Sequence, residues 1–343
     1  MWRPLSRGAR SASINPKGID GRDERNGDRD HPPESPFNNP PSASLYSRGV
    51  WGDFLVKMEM EIEMEEVNCP ICERSGRNPI HQEDSFHMVR CTSCQFIYLN
   101  PRPTDESLFR FYQHYLPEEG SSIESWQKMM QPVFKRAAHL LQQYRREGRL
   151  LDVGSGFGFF LAEMKSKGWE VMGVEISKKA MDYAEDVLGM RVYSGPLDKV
   201  GFPENHFDAV TGFYVIEHLP NPKAFLKECH RILKPGGLLL LRYPHTTPIK
   251  NLLRLFSIEN RLYDLPAHLS DFSPETIQQC LERVGFERCQ HMIGGHTLPN
   301  SLGKRTASSF FGNLSEALFY LSGKKFLFPG VSKTILAFKG NLS

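Results

Sequence analysis

From Leu150 onward, short apolar blocks alternate with longer stretches that carry one apolar face. Leu150–Val153 is followed by Gly154, Gly156 and Gly158, a helical stretch and a second block ending at Glu175, which makes one strand–turn–helix–strand unit. Lys178–Leu188 predicts a helix with Ser177 as N-cap, and Met190–Tyr193 a third strand. Asp208 precedes a strand over Ala209–Phe213; a Glu-His-Leu-Pro loop and a helix follow, and Lys-Pro-Gly-Gly at 234–237 reads as a helix stop before the next strand. Ser273 caps a helix opening at Pro274, Phe286–Ile293 predicts a strand, and Ser332–Phe338 a final one. Ahead of the unit, Trp126, Met130, Val133, Ala137, Leu141 and Tyr144 recur at three and four residues, one face of a helix over Glu124–Glu147. The succession predicts an α/β fold with a parallel sheet.

Upstream the pattern fails. Residues 1–57 are rich in Pro, Gly, Ser, Asn, Arg and Asp without an apolar period, so they are expected to be disordered. Arg3, Arg7, Arg10 and Lys17 stand among the first nineteen residues with no acid, as in an organelle transit peptide, but an extended start ahead of Met58 fits equally. No apolar run approaches the roughly 18 to 20 residues of a membrane-spanning helix, so no span is predicted. The 343 residues, 40% of them hydrophobic, suffice for one large domain and a smaller module. With 42 basic against 40 acidic residues, net charge +2, nothing in the overall charge calls for a nucleic-acid partner.

Seven cysteines change the picture, because Cys69, Cys72, Cys91 and Cys94 form two Cys-x-x-Cys pairs separated by eighteen residues. Four thiolates at that spacing suit a closed tetrahedral zinc site, structural rather than catalytic, in a reducing compartment such as the cytoplasm. His81 and His87, between the pairs, are the alternative ligands. A strand over Phe96–Leu99 leads through Pro101 and Pro103 into a helix capped by Thr104 or Asp105. The expected organisation is a zinc-ribbon-like module at 58–103, a helical linker or lid at 104–148, and a nucleoside-binding domain at 149–343 with an insertion at about 294–329.

The glycine turn sits where a parallel strand turns into a helix, and Glu175, about twenty residues on, is placed to bind ribose hydroxyls. A pyrophosphate-binding turn would need its third glycine at Phe159, and Asp152 at the strand end would repel phosphate while attracting an ammonium or sulfonium. A nicotinamide-dependent oxidoreductase is therefore disfavoured. Leu151–Gly158 resembles motif I of the class I S-adenosylmethionine-dependent methyltransferases. The segment Phe207–Tyr243 resembles their later motifs in the same order. The two cysteine pairs, the aromatic strand ending in Asn-Pro-Arg-Pro and the aromatic helix after it resemble the zinc-binding extension of some small-molecule methyltransferases.

The resemblance implies a Rossmann-like sheet with its last strand antiparallel near the edge, S-adenosylmethionine as cofactor, and a lid helix over the glycine turn. It assigns cofactor contacts to Asp152, Gly154, Ser155, Gly156, Glu175, Ile176 and Tyr214, and adenine contacts to Leu197 and Asp198, because Pro196 replaces the family's usual acid. Methyl transfer is an in-line displacement that needs alignment, plus a base only if the acceptor must lose a proton. His218 is the first candidate base, then His268 and His245. A sugar, quinone-precursor or lipid-like small molecule is the expected acceptor. The competing reading is a zinc-ribbon binding module with a non-catalytic or nucleic-acid-modifying Rossmann-like domain.

Overall fold

The computed structural model describes residues 62–340 except 114, 117–119, 259, 299–301 and 329–331. The segment 1–57 lies outside the described residues.

Seven strands form the central sheet: β6 (Arg149–Val153), β7 (Glu170–Glu175), β8 (Val192–Ser194), β9 (Phe207–Phe213), β10 (Leu233–Tyr243), β12 (Phe286–Met292) and β13 (Lys333–Lys339). Their order is β12-β13-β10-β9-β6-β7-β8, and β13 alone runs antiparallel, between β10 and β12. The helices α3 (Phe159–Lys165), α4 (Lys178–Asp186), the one-turn α5 (Leu197–Val200), α6 (Pro222–Ile232), α7 (Thr247–Leu255), α8 (Pro274–Val284) and α9 (Leu302–Leu321) occupy the connections. Side chains alternate across the sheet, as a pleat buried on both faces requires. Leu150, Ala209, Leu238 and Leu240 pack with α3 and with α2 (Gly120–Tyr144), whereas Leu151, Val210, Leu239 and Leu241 pack with α6 and α8.

Asp208 ties strand starts together. It accepts from the Arg149 N–H at 2.9 Å and Lys234 Nζ at 2.7 Å, with Arg145 at 3.0 Å. Burial alone would raise its pKa, but these partners hold it below the usual carboxylate range.

The cysteine-bearing segment folds as β2 (Arg77–Glu83), β3 (Phe86–Cys91) and β4 (Ile97–Leu99), with β1 (Met64–Glu65) paired to β5 (Arg102–Pro103) and α1 (Asp105–Tyr112) capped by Thr104. It is not a body apart. Strand β11 (Ser270–Asp271), from far downstream, completes its sheet in the order β11-β4-β3-β2. Cys69, Cys91, Phe96 and Tyr98 share one core with Leu151, Val210, Leu239 and Phe272.

Three local expectations differ. The helix before Lys-Pro-Gly-Gly ends at Ile232, and 234–237 makes an irregularity inside β10, between Leu233 and Leu238, with Gly236 at φ 72°. Ser177 occupies the N-cap of α4, but its hydroxyl donates to the Gln113 carbonyl at 3.3 Å instead of capping. The insertion at 294–329 carries α9.

Candidate active site

From β6 the chain first runs one way to β7 and β8 and then the other way to β9 and β10, so the switch point lies between β6 and β9, and α/β sheets bind ligands beyond the carboxyl ends of the strands at such a point. The glycine turn fills that place. Gly154, Gly156 and Gly158 all adopt left-handed φ (67°, 51° and 79°), which a side chain disfavours. At Gly154 space is a second reason, since a Cβ there would collide with Val215 Cγ2. That approach sets the loop after β9 against the turn.

Glu175 braces the turn from the next strand. Its Oε2 accepts from the Gly156 N–H at 2.8 Å, and its Oε1 from Ile176 and Ser177 N–H at 2.8 and 2.9 Å. Burial raises its pKa, and the three N–H groups oppose the rise. Oε2 accepts only one of these bonds, which leaves it capacity for a hydroxyl. Asp152 lies beneath the turn, 2% exposed, and takes the Thr211 hydroxyl at 2.6 Å. Burial, with Glu175's charge adding to it, pushes its pKa up to about 8, so an incoming cation would restore its charge. The Ser155 hydroxyl is buried and unpartnered. Leu197 turns its side chain into the core, while Asp198 is exposed on the first turn of α5.

Helix α2 packs over the turn. Trp126 stands 5.7 Å from the Phe157 ring and 6.1 Å from Phe159, and a Cβ on Gly156 would lie 3.7 Å from its ring edge. Arg136, one helical stretch on, donates to the Ile293 carbonyl, Glu316 and Tyr320, which ties α9 to α2.

Beyond β9 the Glu-His-Leu-Pro loop makes a single 3₁₀ turn, Ile216–His218. His218 Nδ1 lies 2.8 Å from the Ala267 carbonyl; a carbonyl only accepts, so Nδ1 carries the proton and Nε2 the lone pair. Tyr112, Tyr115 and His268 meet its ring edgewise at 5.3, 5.4 and 4.8 Å between centroids. Burial first, then His268, pushes the His218 pKa down to about 3, and burial takes His268 to about 4. His245 is placed elsewhere, among Lys333, Glu275 and His291. Glu217, beside His218, is 1% exposed and caps no helix, and its carboxylate has no partner but its own backbone N–H. Glu217, His218 and His268 offer donor atoms within 4.8 Å of one another.

Sequence reasoning also missed Arg242. It is 3% exposed and donates to the Tyr214 hydroxyl at 2.8 Å, Thr334 at 3.1 Å and the Gly295 carbonyl at 2.9 Å. Tyr214 itself has a left-handed φ of 56°. A lone arginine in an otherwise apolar strand was the available signal.

Residues 125–291 match the family model described as a methyltransferase domain. A ubiquinone biosynthesis O-methyltransferase of Dechloromonas aromatica is 32% identical over 176 residues, which cover 47% of this chain and 75% of that one. The chain belongs to the class I S-adenosylmethionine-dependent methyltransferases. A second relative of the same description, from Alkalilimnicola ehrlichii, is 32% identical over 130 residues, 36% of this chain and 53% of its own. Among solved structures, Haemonchus contortus phosphoethanolamine N-methyltransferase 2 with S-adenosyl-L-methionine aligns at 16% identity and a TM-score of 0.49, over 71% of this chain and 63% of that one.

The methyltransferase also brings its four paired cysteines together. Their sulfurs lie within 4.8 Å of one another, with Cys69–Cys94 and Cys72–Cys91 at 3.5 Å. A disulfide would need about 2.05 Å, whereas four sulfurs about 2.3 Å from a tetrahedral ion stand about 3.8 Å apart. Both knuckles have one backbone design. Cys69 and Cys91 N–H donate to the Arg74 and Phe96 carbonyls, Glu73 and Gln95 N–H donate back to Cys69 and Cys91, and Glu73 and Gln95 take φ of 65° and 62°. His81 is drawn away, 2.9 Å from Lys250 Nζ, and neither His81 nor His87 joins the sulfur cluster among the described residues.

Proposed function

We propose that the enzyme methylates a hydroxyl of a small, partly apolar acceptor, a quinone precursor being the favoured class. The observation that carries this is His218: a neutral imidazole with Nε2 bare, fixed by Ala267 and ringed by Tyr112, Tyr115 and His268, just past β9 beside the glycine turn. Two relatives named as ubiquinone biosynthesis O-methyltransferases support the acceptor class.

S-adenosylmethionine supplies a methyl group on a sulfonium that needs no further activation. Gly154, Ser155, Gly156 and Glu175 would hold its nucleoside, with Glu175 Oε2 free to accept a ribose hydroxyl, and Asp152 would offer a carboxylate to its cationic part. Ile176, Leu197 and Asp198 would meet the adenine, and Tyr214, its hydroxyl held by Arg242, would complete the cofactor pocket. His218 Nε2 would take the proton that the acceptor hydroxyl gives up on methylation, and helix α2 would exclude water. His268 would position the ring. Cys69, Cys72, Cys91 and Cys94 would hold a structural zinc that fixes the knuckles.

His218→Gln should cut turnover about a hundredfold or more while leaving S-adenosylmethionine affinity unchanged by calorimetry. Wild-type turnover would remove His218 as the base. A second reading rests on Glu217: one unpartnered carboxylate beside two imidazoles is a donor set for a divalent cation. Two metal ions per chain, rather than the one held by the thiolates, would favour it.

A further inference from the structure

Exposed large apolar side chains are unevenly distributed. Of thirteen among the described residues, five fall in 252–262 and five in 310–326. The second group belongs to α9 and the turn after it. Phe319 and Ser315 face inward, and Glu316 reaches Arg136 of α2. On the outer side Phe310, Ala317 and Leu321 recur at seven and four residues, one line along a helix. Phe310 is 64% exposed and Leu321 84%. Helix α9 therefore exposes a group of apolar side chains, Phe310, Phe311, Ala317, Tyr320 and Leu321, interrupted by Thr306 and Asn313.

Its charges have one sign. Arg305 stands near one end and Lys324 and Lys325 just past the other, all exposed, while the sole acid of 302–328, Glu316, is already paired. A second copy of the same face would bring like charges together. Helix α7, which starts just beyond the carboxyl end of β10, repeats the composition with exposed Leu255 and Phe256 beside Arg254. No helix among the described residues is long and apolar enough to cross a membrane. An apolar stripe flanked by cations suits a helix that lies on an anionic bilayer with its aromatic and leucine side chains in the headgroup boundary.

We propose that α9, with α7 as a second contact, docks the enzyme onto an anionic bilayer surface. Because α9 is tied to α2 through Arg136, docking would set the helix that packs over the glycine turn beside the membrane, from which, on the proposed function, an apolar acceptor would come.

The test is co-sedimentation of the full chain with vesicles of phosphatidylcholine alone or mixed with phosphatidylglycerol, alongside the Phe310→Ser/Leu321→Ser and Lys324→Glu/Lys325→Glu double variants, and Val187→Ser as a surface control. Binding to the anionic vesicles only is expected. The apolar variant should weaken it by at least about tenfold, the charge variant by about fivefold per lysine, and the control not at all. All these side chains are exposed, so unchanged melting curves should accompany the losses. The proposal is overturned by absence of vesicle binding, by equal binding to neutral vesicles, or by both α9 variants binding like wild type. A wild-type dimer in solution that the apolar variant dissociates, without vesicle binding, would assign the face to a second copy instead. These readouts need no turnover, so they stand apart from the choice of acceptor.

Discussion

Glu217→Gln should make the cofactor-free enzyme more stable, by an amount that grows with pH. Burial pushes the Glu217 carboxyl from 4.5 up to about 8, and the charge of Asp271 adds to it. Between those values the unfolded chain has released the proton and the folded chain keeps it. The folded state binds more protons, so stability falls as pH rises, by about 1.4 kcal/mol per pH unit. The contribution is whole below the unfolded pKa and is lost as pH rises through the folded one. From pH 4.5 to 7 the loss is roughly 3 kcal/mol. Glutamine has nearly the same shape and no proton to lose, so the variant lacks this slope, and the parallel contribution of Asp152, present in both proteins, cancels in the difference. Thermal melts of the two proteins should lie closest near pH ~5 and separate towards pH ~8, with the variant roughly 4–5 °C higher at neutral pH. A gap that does not change with pH, or a variant less stable at pH ~8, would refute the neutral buried carboxyl.

Gly154→Ala places a methyl group against Val215 at a left-handed φ, at a cost of about 1–3 kcal/mol; calorimetry should show S-adenosylmethionine binding lost or weakened by tenfold or more (~10), and unchanged affinity would mean that the turn does not meet the cofactor. Glu175→Ala removes the acceptor for three backbone N–H groups and, on the proposed function, a ribose contact, so S-adenosylmethionine affinity should fall by at least the worth of one charged hydrogen bond, about 1.5–3 kcal/mol. Wild-type affinity would overturn that assignment. Cys72→Ser should lower both the zinc content found by metal analysis and the melting temperature. Because β11 and the Leu269–Glu217 backbone bond link this module to the acceptor loop, S-adenosylmethionine-dependent turnover should fall with it. Full zinc content in the variant would exclude Cys72 as a ligand.

Local chemistry explains what could be read without a fold. The glycine turn, Glu175 and the strand–helix alternation are written in consecutive residues, since a parallel strand entering a helix dictates both periodicity and glycine placement. The same holds for the Ser273 cap, where the capping box forms as expected, and for the four cysteines, whose spacing alone brings two knuckles together. Where a residue's partner is distant in sequence, the reading ran out. Ser177 has the identity of a cap, but Gln113, sixty-four residues away, takes its hydroxyl. Arg242 and Glu217 are isolated polar letters in apolar stretches. Only the packing of Tyr214, Thr334 and Gly295 around one, and the sealing of the other behind β11 and the 263–272 segment, gives them weight.

The module boundary near residue 103 shows the same division. Composition changes there, but β4 pairs with β11 and the cysteine knuckles share a core with the central sheet, a long-range register that no local pattern encodes. The sequence by itself determined the fold class, the glycine turn and the cysteine set, because each depends on neighbours along the chain. Tertiary structure alone decided which histidine holds a bare Nε2, which carboxyl is sealed from water and which helix faces outward with apolar side chains, because burial and partnership belong to the folded surface.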